Sequence, residues 1–163
     1  MIRGTVTSEL CQRSVRNRVK GEAMTIVSVA AMAAHIEDLC ETFEIAVGSH
    51  ASGGRAWRKT KVIKIRPVKS AVTYAVALHE IGHVVGTMQS GTRLIKETGA
   101  WLWARGAALC WTPVMHEAMV KRLRSYLRWA THPQRQARRH GKPAIPPKDH
   151  ALWSLVGDIE VSS

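Results

Sequence analysis

Phe and Tyr are scarce in this sequence, one and two copies, while Trp occurs six times. A core built here must therefore rest on aliphatic side chains and tryptophan. Trp101, Trp103, Trp111 and Trp129 mark the stretch where much of it is expected to be assembled. Cysteine is scarce too. Cys11, Cys40 and Cys110 are an odd number without disulfide-framework or metal-type spacing, which points to a reducing compartment and hence to the cytoplasm. The first residues lack the apolar run of a secretory signal. The longest apolar stretches are broken by His35 and Glu37, or by Arg105, short of the ~20 residues of a membrane span. No membrane partner is expected.

Acidic residues are the remaining deficit. Lys plus Arg is 24 against 12 for Asp plus Glu, a net charge of +12. Between Lys121 and Lys148 stand nine basic residues (Lys121, Arg122, Arg124, Arg128, Arg135, Arg138, Arg139, Lys142, Lys148) and no acidic one. Residues 121–148 thus favour a polyanion, either nucleic acid or an acidic partner. Tyr126 and Trp129 among those arginines would offer stacking surfaces. A solvated face continuing into a solubilising tail accounts for the same charge.

What is present suits a single domain: 163 residues, 45% of them hydrophobic. Residues 1–23 read as a basic, disordered leader, and Met24 is a second candidate start. Residues 24–130 read as the folded domain, and 131–163 as a basic tail with prolines, of which 151–161 is a short segment able to dock. The fold class expected is α+β and predominantly helical, with a short sheet. Ser28 caps a first helix through about Thr42, with Ala31, Ala34, Ile36 and Leu39 facing inward. Phe43 to Val47 reads as a strand, and Ser49 to Gly54 as a turn or mobile loop. Lys59 to Arg66 alternates, burying Ile63 and Ile65, and Pro67 ends it in the manner of an edge strand. Ser70 caps a helix over 71–85 with Tyr74, Leu78, Ile81 and Val85 as its buried stripe, and Gly86 stops it. Further helices are expected over about 93–110 and, with Pro113 in the first turn, to about Ala130.

One motif carries chemistry: His79-Glu80-Ile81-Gly82-His83. Residues four apart on a helix lie one above the other on one face, so two imidazoles can converge on one Zn2+ at ~2.0–2.1 Å. Glu80, offset by one residue, reaches the metal's water as general base rather than joining the ligands. Gly82 leaves room beside the metal. The third ligand is expected from Glu97, because Glu97, Trp101, Ala104 and Ala108 share one face of the next helix. A carboxylate buried there needs a cation. His116 and Glu117 are the competing third ligands, whereas His132 and His140 belong to the basic tail. Tyr126 and His116 are candidates to stabilise a transition state; Tyr74 reads as core.

The run from Ser70 through HEIGH to Gly86, followed by Glu97 to Ala104, resembles the gluzincin type of HExxH metallopeptidase. In particular it looks like the compact ImmA/IrrE-type peptidases and related small peptidases carried by phages and mobile elements. The resemblance covers roughly residues 24–130. It implies a minimal zincin in which a short sheet packs on the HExxH helix, with His79, His83 and Glu97 as zinc ligands and Glu80 as the base. It implies a zinc-dependent endopeptidase acting on a specific intracellular protein, and a substrate strand added along Lys61 to Arg66. The short interval from His83 to Glu97 departs from that family, as does the lack of a helix-turn-helix module. The alternative from another class is a non-catalytic, zinc-stabilised protein that binds nucleic acid through residues 121–148.

Overall fold

The computed structural model describes residues 27–132 and 145–157. The expected leader, Cys11, His140 and the tail's Arg135, Arg138, Arg139 and Lys142 lie outside the described residues. The chain runs α1 (Val29–Thr42), β1 (Ala46–Ser49), β2 (Gly54–Trp57), β3 (Val62–Ile65), α2 (Ala71–Val85), α3 (Arg93–Ala107), α4 (Pro113–Thr131) and α5 (Ala151–Val156). It is an α+β fold, mostly helical, with one three-stranded sheet. None of the described helices is long and apolar enough to cross a membrane.

The helix starts are those the caps dictate. The side chains of Ser28, Ser70, Thr92 and Thr112 each accept a bond from a backbone N–H in the first turn of α1, α2, α3 and α4. Ser70 and Thr73 complete a reciprocal box, and Pro113 occupies the first turn of α4, where its missing N–H costs nothing. The centre of the molecule is α2, which packs against α1, β2, β3, α3 and α4. It is buried on nearly every side, from Tyr74 to Gly82, rather than along one stripe. Tyr74, Leu78 and Ile81 sit in the core as the periodicity requires, but Val85 is only half-buried. Tyr74 is structural: its hydroxyl lies 2.7 Å from His35 Nδ1 and accepts the Leu109 N–H at 3.0 Å.

Around α2, the stripe Met115, Met119, Leu123, Leu127 of α4 is buried, and Leu152, Leu155 and Val156 of α5 close the core beside it. The expected docked segment is thus observed over 151–156. α3 ends at Ala107 rather than near Cys110. On α1 the inward residues are Met32, Ile36 and Cys40, while Ala31 and Ala34 are exposed. Alanine carries little apolar area, so it does not decide which face turns inward. Of the four clustered tryptophans only Trp101 is fully buried; Trp129 is 37% exposed.

The sheet differs most from expectation. Its order is β1-β3-β2, with β1 parallel and β2 antiparallel to β3. Ile63 and Ile65 do face the core, but the strand that contains them is central. The expectation that 59–66 forms an edge open to an added peptide is therefore corrected. Its free side is taken by β2, a strand hidden at the end of a glycine- and serine-rich stretch that reads as a loop. The first strand is also shifted from 43–47 to Ala46–Ser49, because Phe43 closes α1 as its C-cap and Glu44 turns the chain at φ 56°.

Candidate metal centre

Three side chains from two helices meet at one point. His79 Nε2 and His83 Nε2 are 3.2 Å apart, and Glu97 Oε2 lies 3.1 Å from the first and 3.4 Å from the second. His79 and His83 are one turn apart on α2, and Glu97 projects from the first half of α3. The two helices come this close because Gly82 lies directly on the backbone of Ala100. A Cβ at 82 would stand 2.5 Å from Ala100 O and 3.1 Å from its Cα. Gly82 therefore seats one helix on the other; it does not provide space beside an ion. Gly99 does the same from the other side, against Thr87 O.

These separations can be tested against a metal. Ligands at ~2.0–2.1 Å on a tetrahedral ion are ~3.3 Å from one another, from the tetrahedral angle and the bond length. The three observed distances bracket that value. The donors also lack other work. Glu97 Oε2 and His79 Nδ1 are buried without a hydrogen bond, and Glu97 as a residue is only 5% exposed. A carboxylate oxygen facing two imidazole nitrogens without a cation forfeits its hydration for little return. The cluster could hold a metal ion. Among the described residues His79, His83 and Glu97 form the group suited to one, while His116 and Glu117 are exposed on α4 and line a separate groove against α5.

The electrostatics follow from burial and from this convergence. Burial drives the His79 pKa down to about 4, against the pull of Glu97, so its ring is neutral at ordinary pH. At His83 burial acts in the same sense, but the close carboxylate of Glu97, with Gln89, outweighs it and the pKa rises. Burial likewise opposes ionisation of Glu97, yet the two imidazoles hold its carboxyl well below the ordinary range. Glu80 has no such partner. Burial pushes it up to about 7.

Gln89 is a site residue that sequence reading missed. Its amide nitrogen donates to Lys96 O at 3.0 Å and Thr87 O at 3.2 Å, which leaves its oxygen to accept from His83 Nδ1 at 3.1 Å. With the proton fixed on Nδ1, the Nε2 lone pair points into the cluster. A glutamine in the loop just after the second histidine was the only available signal. His79 is oriented differently: its ring stacks on Trp101, with centroids 4.2 Å apart and planes at 23°. Arg93 holds the outer oxygen of Glu97 at 3.5 Å, and its guanidinium covers the rings of Tyr126 and Trp129 at 4.8 and 5.5 Å. Both rings read as stacking surfaces for bases thus face a cation of the chain itself. Tyr126 feels the charges of Glu97 and Glu80 and stands near the site, unlike His116.

Gly54 was also missed. It opens β2 directly over Glu80: a Cβ there would meet Glu80 Cγ at 2.5 Å and Oε1 at 2.7 Å. The basic run is less unified. Arg124 donates to Val156 O at 3.0 Å, whereas Lys121, Arg128 and Lys148 are exposed. His132 caps the end of α4 and takes no part in the cluster. Compared with models of protein families, with curated proteins and with solved structures, the chain has no match.

Proposed function

We propose that the protein is a zinc-dependent peptidase in which His79, His83 and Glu97 hold Zn2+ and Glu80 is the general base. The single observation that carries this reading is the triangle of two imidazole nitrogens and one carboxylate oxygen at tetrahedral ligand spacing, with a buried, unpaired carboxyl beside it. Two nitrogens and one oxygen are a donor set suited to zinc, and three protein ligands leave a position for water, the arrangement of catalytic rather than structural sites. Zinc, when bound, lowers the pKa of its water toward ~7 and polarises a carbonyl.

The chain's own residues supply the rest. Glu80, pushed up to about 7, can take a proton and give it back near neutral pH, which is what hydrolysis of an amide requires of its base. Glu97, kept ionised, and His79, kept neutral, stay in the forms that bind a metal. Among the described residues β2 pairs with β3 on one side only, which leaves its other edge to receive an extended peptide by strand addition. Because Gly54 begins that edge over Glu80, such a peptide would pass beside the base. The resemblance to compact intracellular, phage-associated peptidases agrees with this reading and suggests a specific protein as substrate. The test is Glu80→Gln in zinc-loaded protein. Zinc content and melting temperature are expected to stay as they were while cleavage of an unstructured peptide falls ~10²–10⁴-fold. Cleavage unchanged in Glu80→Gln would refute the assignment.

A further inference from the structure

One turn below Glu80 on α2 lies a small cavity of about 70 Å³ with an apolar floor of Ile65, Val72 and Val76. Its charged lining is of one sign, Arg66 from the end of β3 and Arg122 from α4. Among the described residues neither guanidinium lies in a hydrogen bond or ion pair, and Arg122 is half-buried. Gly53, at its mouth, immediately precedes the glycine that opens β2 over Glu80. We propose that this cavity receives an acidic side chain of the bound peptide, one or two residues from the bond that is cut. The proposal rests on the peptidase reading and adds to it a substrate class: peptides with Asp or Glu beside the scissile bond.

Two physical points support it. A half-buried guanidinium with no carboxylate at ion-pair distance regains little of the hydration it gives up, and a carboxylate, which it can grip by two parallel bonds, restores it. The distance also fits. Val76 precedes Glu80 by four helical residues, ~6 Å along the axis. Side chains on one face of an extended peptide recur every ~6.6 Å. Because Gly54 lies against Glu80 and its neighbour Gly53 lines the cavity, a peptide on β2 with its scissile bond at Glu80 would set a neighbouring side chain over the cavity. The charge of Arg122 already reaches both Glu80 and His79, which places it within the electrostatic reach of the site.

The experiment uses the full chain loaded with zinc and a capped peptide library of random sequence, with the products sequenced by mass spectrometry. Asp and Glu are expected to be enriched at least ~10-fold within two residues of the cut, as for a charge-assisted bond worth more than 1.4 kcal/mol. Arg122→Glu should turn that preference toward Lys and Arg, and Arg66→Glu should weaken it. Arg122→Gln, a gentler change, should erase the preference without reversing it. Cleavage with no acidic enrichment, or an enrichment that survives Arg122→Glu, would overturn the pocket and leave the peptidase reading standing. If the zinc-loaded chain cuts no peptide, the peptidase reading falls instead, and the pocket is decided by calorimetry. A capped pentaalanine peptide with a central Glu should then bind at least ~10-fold tighter than its Gln counterpart, and only while Arg122 is present. Equal affinities would overturn the pocket.

Discussion

The seam between α2 and α3 and the outer face of α4 carry charge in opposite ways. In the seam Glu97 is held by His79, His83 and Arg93 together, and His83 by Gln89 as well. On α4, Lys121 and Arg128 are exposed and Arg124 is spent on a backbone carbonyl. The nine basic residues look like one feature in the sequence, yet those described point to different places and do different work. What makes a site is convergence in a desolvated space, where each interaction is strong and each unmet partner costly. Number of charges is a poor guide to that.

The largest effects should therefore come from the seam. Glu97→Ala removes one of the three proposed ligands and leaves two imidazoles; zinc is expected to be lost on dialysis, with a fall in melting temperature, since a metal stabilises the folded state it binds. Zinc retained by Glu97→Ala would move the third ligand elsewhere. Gly82→Ala forces a Cβ against the Ala100 backbone. It should cost roughly 1–3 kcal/mol in denaturant unfolding and loosen zinc binding, because the ligands on the two helices separate. Gln89→Ala leaves all three ligands in place, so zinc affinity should drop by only about 10–100-fold, measured by competition with a chelator. Lys121→Ala and Arg128→Ala, on the other face, should change stability by no more than about 0.5 kcal/mol and leave zinc untouched.

Acid sharpens the same contrast within the seam. Zinc needs both imidazoles neutral. His79, depressed to about 4, is already neutral in the folded metal-free chain down to that pH, so protons compete for it only below. His83 is raised, so protons compete there first, from above pH 6.5 downward. The logarithm of zinc affinity should accordingly fall by about one per pH unit below 6.5, the stoichiometry of one released proton, and more steeply near pH 4. Two protons released per zinc at pH 6 in Glu80→Gln, which removes the carboxyl that titrates near 7, would contradict this asymmetry. In the metal-free chain the sign for His79 follows too: its lowered pKa adds stability that is present above 6.5 and lost as pH falls through about 4. Glu80 acts oppositely, adding stability below 4.5 that is lost as pH rises through about 7.

Much of this was legible from residues in order, for reasons that are local. Caps at Ser28 and Ser70 lie beside the helices they start, and the pairing of His79 with His83 is set by helical pitch alone. Glu97 could be found because it shares a face with Trp101 and Ala104, which seek burial. What stayed hidden depends on partners distant in the chain. β2 has four residues, two of them Gly and Ala, and becomes a strand only by pairing with β3. Without β2, β3 looked like an edge, and the free edge was assigned to the wrong strand. Gly54 and Gly82 gave no sign that one abuts Glu80 and the other Ala100, since a close approach is a property of two segments. Gln89 could be recognised only once Thr87 O and Lys96 O were seen to occupy its amide.

Everything rests on an ion at the meeting point of His79, His83 and Glu97. X-ray absorption at the zinc edge, on protein purified without chelator and quantified for metal, addresses it directly. The expected result is close to one zinc per chain, with two imidazole nitrogens and two oxygens at ~2.0–2.1 Å and no sulfur. Protein that carries no metal, or a zinc shell that contains sulfur or is unchanged in His83→Ala, would contradict the account.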